Sequence, residues 1–108
     1  MPRIVLPTDQ IRNEKTFHAA CQRAFGFPDF YAHTMDAWID CLSYLRDEDR
    51  MSKFHLKPNE TLIIHISNSE QLRQQAPQIM EELEFCVGVI NERYDDYGEK
   101  PALKLKLS

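Results

Sequence analysis

The sequence predicts an α/β fold in which pairs of helices cross between the strands of a small three-stranded parallel sheet, as one domain over residues 1–108. Three short runs have the composition or alternation of strands, namely Arg3–Leu6, Thr61–Ile66 and Ala102–Leu107. Each gap between them holds two segments in which apolar residues recur at helical spacing. Because a helical crossover returns the chain in the same direction, we expect parallel strands with right-handed connections.

The first helix pair follows strand one. Asn13 is the expected N-cap of helix one, and Gly26 with Pro28 ends that helix. Thr34 is the expected N-cap of helix two. The apolar stripe of helix two consists of Met35, Trp38, Cys41, Leu42 and Leu45. This spacing predicts a helix with one buried side and one side left to solvent.

The second helix pair follows strand two. The nearly continuous apolar run TLIIHI is typical of a central parallel strand that is covered on both faces. Asn68 and Gln71 have the spacing of a capping box at the start of helix three. Pro77 suits the first turn of helix four, and Gly98 ends it. Lys104 and Lys106 alternate with leucines in the last strand, as expected at a solvated sheet edge.

Helix two and strand two are separated by a polar segment, RDEDRMSKFHLKPNE, at residues 46–60. Its charge predicts a long exposed loop, and loops of this length in compact domains are often functional. Phe54 and Leu56 are expected to dock it on the core.

The charge balance limits the classes of partner. The net charge is -4 and the isoelectric point about 5.5, which argues against a general nucleic-acid binder and is compatible with a basic protein partner. No apolar run is long enough to span a bilayer, and the N-terminus lacks the pattern of a signal peptide. We therefore expect a cytoplasmic protein.

The chain carries no motif for a cofactor or a metal. The cysteines Cys21, Cys41 and Cys86 lie in apolar helical stretches, so we interpret them as free core thiols. The histidines have no zinc-ligand spacing. His65 is expected to be half-buried or hydrogen-bonded in its strand. His33 either contacts Asp36 or is an exposed loop histidine.

Helix two places Asp36 and Asp40 four positions apart, on one side. A like-charge pair at this spacing costs a few tenths of a kcal/mol. One interpretation is an acid at the helix start followed by an ordinary solvated charge. The other is a binding site, because the aromatic residues Phe30 and Tyr31 precede the helix on a loop. Ile39 is a contact residue if it is exposed and part of the core if it is buried.

The stretch QIRNEKTFHAACQRAFGFPDFYAHTMDAWIDCL resembles the first two helices of the barstar family, which consists of intracellular inhibitors of a secreted bacterial ribonuclease. The shared features are a QIR turn, a Phe-His pair, a Pro-acid-aromatic-Tyr loop and the pattern D-A-x-x-D-C-L. The order of strands and helices also matches over nearly the whole chain. Three residues depart from the family: Ala32, His33 and Thr34 replace its usual Gly-Glu-Asn run. The loop at 46–60 is also longer.

The resemblance implies a non-enzymatic immunity protein that binds a ribonuclease toxin as a monomer in a 1:1 complex. Asp40 would occupy the phosphate pocket of the nuclease, with Asp36 supporting it. Phe30 and Ile39 stand at aromatic contact positions of the family, and Glu92 with its apolar neighbour Val89 supplies the contribution of helix four. The implied contact residues are Phe30, Tyr31, His33, Asp36, Ile39, Asp40, Ser43, Tyr44, Val89 and Glu92.

Two other functions are compatible with the sequence. A module of this family could bind a basic protein that is not a nuclease. A small carboxylate-dependent hydrolase is less well supported, because the strand ends at Asp9 and Glu70 do not supply a pair of acids. Gly88, inside helix four, fits either a flat surface for a partner beside Glu92 or close packing against helix three.

Overall fold

The structure, a computed structural model, describes residues 2–48 and 51–108. Within that part of the chain it confirms the predicted α/β architecture, with a parallel sheet in the order β1-β2-β3. The strands are β1 Arg3–Leu6, β2 Leu62–Ile66 and β3 Leu103–Leu107. The helices are α1 Glu14–Phe25, α2 Met35–Leu42, α3 Ser69–Gln75 and α4 Pro77–Asp96, with a short 3-10 turn at Thr8–Gln10.

In the part of the chain that the structure describes, helices cover the sheet on one side only. Burial alternates along β2, so that Leu62, Ile64 and Ile66 are buried while the residues between them are half-exposed. The inward side chains join those of the helices in one hydrophobic cluster. The prediction that β2 is covered on both faces is therefore wrong. The opposite side, here called the sheet face, consists of Arg3, Val5, Ile63, His65, Lys104 and Lys106.

His65 shows how the sheet face satisfies a polar group. Its Nε2 lies 2.8 Å from Ser108 Oγ, and the residue is half-exposed, as predicted. The two lysines of β3 are exposed as predicted. An isoleucine-rich strand thus has an open side because charged and polar neighbours on the flanking strands keep that side hydrated.

Local capping sets the ends of the first two helices. Asn13 forms a reciprocal capping box with Thr16, and Gly26 ends α1 in the left-handed conformation, with φ 69°. The Thr34 hydroxyl accepts a hydrogen bond from the Ala37 N–H at 3.1 Å, which confirms the predicted start of α2. Leu45 is buried as predicted, although it lies beyond the last turn of α2.

The predicted capping box of α3 does not form. Asn68 is left-handed, with φ 54°, and its side chain makes no capping hydrogen bond. The Ser69 N–H instead donates to the carbonyl of Ser108 at 2.9 Å, which ties the start of α3 to the end of β3. A tertiary contact has replaced the local one, and asparagine tolerates the left-handed backbone this requires. Pro77 opens α4, and Gly98, with φ 74°, follows its end.

The long loop is docked rather than fully exposed. Leu56 is buried, Phe54 is half-buried, and the Leu56 N–H donates to the Leu45 carbonyl at 2.8 Å. Asp49 and Arg50, which also belong to the predicted loop, lie outside the described residues. The docking of Phe54 and Leu56 is thus confirmed, but the prediction of an exposed loop holds only for part of its length.

Arg46 fastens the beginning of this loop. Its guanidinium donates to Glu99 Oε1 at 3.2 Å and to the carbonyls of Lys100 and Glu60 at 2.9 Å each. It also lies over the Tyr94 ring, 4.9 Å from the centroid. The side chain is 6% exposed, so this cation is a buried connection between the loop and the approach to β3.

The three cysteines are buried free thiols, as predicted. Burial raises the pKa of Cys21 to about 12 and that of Cys86 to about 11. Both thiols therefore stay protonated and act as small core residues. None of the described helices is long and apolar enough to cross a membrane.

Candidate functional site

Asp36 and Asp40 are both exposed on the solvent side of α2. The opposite side of this helix buries Trp38 and Leu42 completely. The amphipathic spacing of the sequence is the cause, because apolar residues at i and i+4 fix which side faces the core. The two carboxylates are therefore presented together rather than turned into the core.

Asp40 has a partner on α4. Arg93 Nη1 lies 3.5 Å from Asp40 Oδ1 and donates to Ser43 Oγ at 3.0 Å. Ser43 Oγ in turn donates to the carbonyl of Ile39 at 2.6 Å. The Asp40 and Arg93 side chains are 68% and 48% exposed, so the ion pair is solvated. Such a pair contributes about 0–1 kcal/mol to stability, and its significance lies in how it places the carboxylate.

Aromatic side chains border the acids. Phe30 is 73% exposed and Tyr44 is 42% exposed. Phe30 and Asp40 share the lining of a pocket of about 230 Å³ with Met51 of the long loop. We call the surface formed by Phe30, Asp36, Asp40, Tyr44, Glu92 and Arg93 the acidic face.

Two predicted contact residues lie in the core instead. Ile39 is 8% exposed and Tyr31 is 5% exposed. The burial of Ile39 decides between its two interpretations, and it widens the apolar side of α2. The Tyr31 hydroxyl lies 2.6 Å from His18 Nδ1 and its ring packs 4.7 Å from that of Phe27. Tyr31 therefore holds the Phe30 loop in place and offers little surface to a partner.

On α4, Glu92 is exposed, whereas Val89 is half-buried. Gly88 has no atom within 4 Å of the place where a Cβ would be, which excludes close packing against a neighbouring described residue. The flat-surface interpretation of Gly88 stays open. The exposed Phe85 was not singled out from the sequence, because its neighbours on α4 have the same apolar character and are buried.

His33 does not pair with Asp36. Its Nε2 lies 2.9 Å from Gln22 Oε1, and its backbone is left-handed, with φ 57°. This exposed histidine thus links the loop before α2 to α1, in agreement with the second interpretation of His33. Its ring also lies 6.1 Å from that of His18, so the two histidines are neighbours across the helix pair.

A second group of titratable side chains joins α1 to α4. Burial lowers the pKa of His18 from its ordinary value of 6.5, against an opposing effect of Glu14, whose Oε2 lies 3.5 Å from His18 Nε2. A proton shared with Glu14, together with burial, raises the pKa of Glu82 to about 7. In this cluster His18 is buried, Glu82 is half-buried and Glu14 is exposed.

A larger cleft of about 620 Å³ opens beside Ser43 and Arg93, where the end of α2 meets the end of α4. Tyr44, Asp47, Asp96 and the 81% exposed Tyr97 line it. Arg93 and this cleft were not predicted, because they depend on which residues of α4 meet α2, and the sequence gives no spacing for a contact between distant helices.

Among the described residues, no group of three or more histidines, cysteines or acids is placed to hold a metal ion. The exposed acids of α2 lie between the exposed rings of Phe30 and Tyr44 in the sequence, and aromatic residues are enriched at protein interfaces.

A protein-family model described as Barstar (barnase inhibitor) matches residues 1–106 of the 108-residue chain. A search of curated proteins found no match. The family match thus covers both helix pairs, β1, β2, all of β3 except its last residue, and every residue of the acidic face.

Proposed function

We propose, from the premise that the chain belongs to the barstar family, that it is an immunity protein that blocks the active site of a ribonuclease toxin. Proteins of this family inhibit barnase-type ribonucleases and are not enzymes themselves. The partner would be a basic protein, bound in a 1:1 complex in the cytoplasm of a bacterium that also carries the toxin gene. The acidic face would enter the cleft in which that enzyme holds RNA.

The observation that carries this proposal is the exposure of Asp36 and Asp40 on one side of α2 with Phe30 beside them. A ribonuclease must hold a phosphodiester, so its active site concentrates lysine, arginine or histidine. Carboxylate oxygens can take the positions of phosphate oxygens and accept charge-assisted hydrogen bonds from those cations. Asp40 is the proposed phosphate mimic, because one of its oxygens meets Arg93 and the other has no partner among the described residues.

The other site residues would take supporting parts. Phe30 would stack on a flat group of the nuclease, although it has no hydroxyl to donate. Ser43 and Tyr44 extend the contact beyond the end of α2, and Glu92 adds an acid from α4 with Val89 as its apolar neighbour. Tyr31, His33 and Ile39 would act indirectly, by fixing the loop and the helix that carry Phe30 and Asp40.

A basic protein that is not a nuclease is the second candidate partner. Met51 favours it, because a residue of the extended loop lines the pocket beside Asp40 and thus changes the surface that a partner meets. Ala32, His33 and Thr34 also depart from the family at the edge of this surface. Both candidates use the acidic face, and only the first protects RNA.

The test is rescue by co-expression. Each strain of a panel produces one bacterial ribonuclease toxin, barnase among them, together with this chain. The strain whose toxin is the cognate partner should survive. The purified chain should then stop RNA cleavage by that toxin at equimolar concentration. Tight binding to a toxin without protection of RNA would favour the second candidate, and rescue by Asp40→Ala as efficient as by the natural chain would refute the proposed site.

A further inference from the structure

Arg93 is an exposed cation on a mostly anionic surface. Its Nη1 lies 3.5 Å from Asp40, Glu92 precedes it on α4, and Asp96 lies one helical turn further along α4. Asp36 lies one turn before Asp40 on α2. The nearby Arg46 does not share this position, because its side chain is 6% exposed against 48% for Arg93. Among the described residues of this surface, Arg93 is the exposed side chain with a permanent positive charge.

Arg93 is anchored in a way that keeps it at the surface. Its Nη1 donates to Ser43 Oγ at 3.0 Å, which is shorter than its 3.5 Å approach to Asp40. Ser43 is itself fixed by its hydrogen bond to the Ile39 carbonyl. A cation from a partner can therefore reach the second oxygen of Asp40 while the guanidinium stays in place. The remaining nitrogens of Arg93 have no acceptor among the described residues.

Covering such a group has a clear electrostatic consequence. A partner that docks on Asp40 removes water from Arg93 and also engages the carboxylate that is the counter-charge of Arg93. A desolvated cation whose only counter-charge is shared with the partner's cations weakens binding strongly. The same partner brings its own cations close to the guanidinium, which adds repulsion. A carboxylate on the partner offsets both the desolvation of Arg93 and this repulsion, because arginine pairs with carboxylates through two parallel hydrogen bonds.

We infer that Arg93 determines specificity: it selects a ribonuclease that carries an acidic side chain directly beside the cations that receive Asp40. This inference rests on the proposed function and names a chemical property of the partner. A nuclease with the same cations but without that acid is rejected, because specificity arises from unpaired charges as well as from favourable contacts.

The experiment compares Arg93→Ala with Arg73→Ala in binding to the ribonuclease found by rescue, with barnase as a second probe. Arg73 is a matched control, since it lies 3.3 Å from Glu84 in an ion pair of similar exposure, 45% and 47%. Both variants remove one positive charge, so long-range attraction to a basic partner changes equally. We expect Arg93→Ala to bind about tenfold more weakly than Arg73→Ala. Arg93→Lys should recover most of that loss.

The acid is then identified by replacing each exposed Asp and Glu around the active site of the ribonuclease with alanine. For one of these ribonuclease variants, the natural chain and Arg93→Ala should bind with the same affinity. Binding of Arg93→Ala that equals or exceeds that of Arg73→Ala overturns the inference, and so does a scan in which no acid is coupled to Arg93. Asp40→Ala separates the two proposals: if it binds like the natural chain, the proposed function fails and the inference with it.

Discussion

The acidic face and the sheet face each combine charged with apolar exposed groups, and they carry opposite charge. The acidic face has Asp36, Asp40 and Glu92 beside the exposed ring of Phe30. The sheet face has Arg3, Lys104 and Lys106 beside Val5, which is 54% exposed. A net charge of -4 conceals this separation. The sign of the overall charge therefore predicts the kind of partner but not the surface that the partner meets.

The two faces also differ in how their side chains are held. On the sheet face, alternation along each strand is sufficient to place every exposed side chain. On the acidic face, Asp40, Ser43 and Arg93 are connected across two helices that are distant in sequence. Substitutions on both faces test whether a partner binds the acidic face alone.

Asp40→Ala should have the largest effect. In the complex of barnase with barstar, the type example of this family, close charge pairs are known to couple by about 1.5–7 kcal/mol. We expect Asp40→Ala to lose about 4 kcal/mol of binding free energy, close to a thousandfold in Kd, by calorimetric titration with the cognate ribonuclease.

Two controls accompany Asp40→Ala. Glu70→Ala removes the same charge from exposed α3, and Lys106→Ala removes a charge from the sheet face. Each should change Kd by less than about threefold, as expected of charges outside an interface. Small and equal losses of affinity in all three variants would show that the acidic face contributes no more to binding than the sheet face.

Arg46→Ala should act on stability rather than on binding. Removing this buried cation leaves Glu99 and two carbonyls without their donor, which we expect to cost about 3 kcal/mol of unfolding free energy. Arg93→Ala should change stability by less than about 0.5 kcal/mol, because its ion pair is solvated. Urea unfolding measures both, and similar values for the two variants would contradict this contrast between neighbouring arginines.

Phe30→Ala should weaken binding by about 1–2 kcal/mol and leave the unfolding free energy nearly unchanged, because its ring is 73% exposed in the free protein. Val5→Ala is the corresponding change on the sheet face, where the side chain is 54% exposed. It should have no effect on Kd. A loss of affinity in Val5→Ala would show that the sheet face takes part in binding.

The smallest expected effect is on the pH dependence of stability. The pKa of Glu82 is about 7 in the folded chain and ordinarily 4.5, so the folded state holds more protons between these values and loses stability as the pH rises through them. Glu82→Gln should therefore raise Tm at pH 8 but not at pH 4.5. Glu92→Gln, on the exposed acidic face, is the control.

His18 works in the opposite direction in part of the same pH range. Its lowered pKa means that the folded state excludes a proton that the unfolded chain takes up, so stability falls as the pH drops below 6.5. The loss of Tm on acidification should thus be steeper in Glu82→Gln than in the natural chain. A Tm gain in Glu82→Gln that is equal at pH 4.5 and pH 8 would exclude the proton shared with Glu14.

Prediction from sequence succeeded where a single element determines the result. Asn13, Gly26 and Thr34 act within one helical turn of the residues they cap, so their roles could be assigned from local spacing. It failed at Asn68, where a hydrogen bond from Ser69 to the last residue of the chain replaced a local cap. It failed again for β2, because an apolar run does not reveal whether a second layer of helices exists.

In the candidate site, too, the predictions succeeded for residues whose exposure is set by a single helix. The exposure of Asp36 and Asp40 follows from the apolar stripe of α2, and Phe30 was identified from its place beside them. Ile39 and Tyr31 were interpreted as contacts through the family resemblance, but they lie in the core. Their aliphatic and aromatic side chains suit an interface and a core equally well, so residue type alone does not distinguish the two.

The sequence by itself determined the order of strands and helices, the parallel sheet, the side of α2 that carries its acids and the family to which the chain belongs. The first three depend on periodicity and capping, which act between residues a few positions apart, and the family follows from the motifs that the chain shares with it. Only the tertiary structure decided that the sheet has an open cationic face, that Arg46 is buried and that Arg93 meets Asp40 from 53 positions away. Such contacts arise from the packing of whole elements, and the side chains that make them have no regular spacing along the chain.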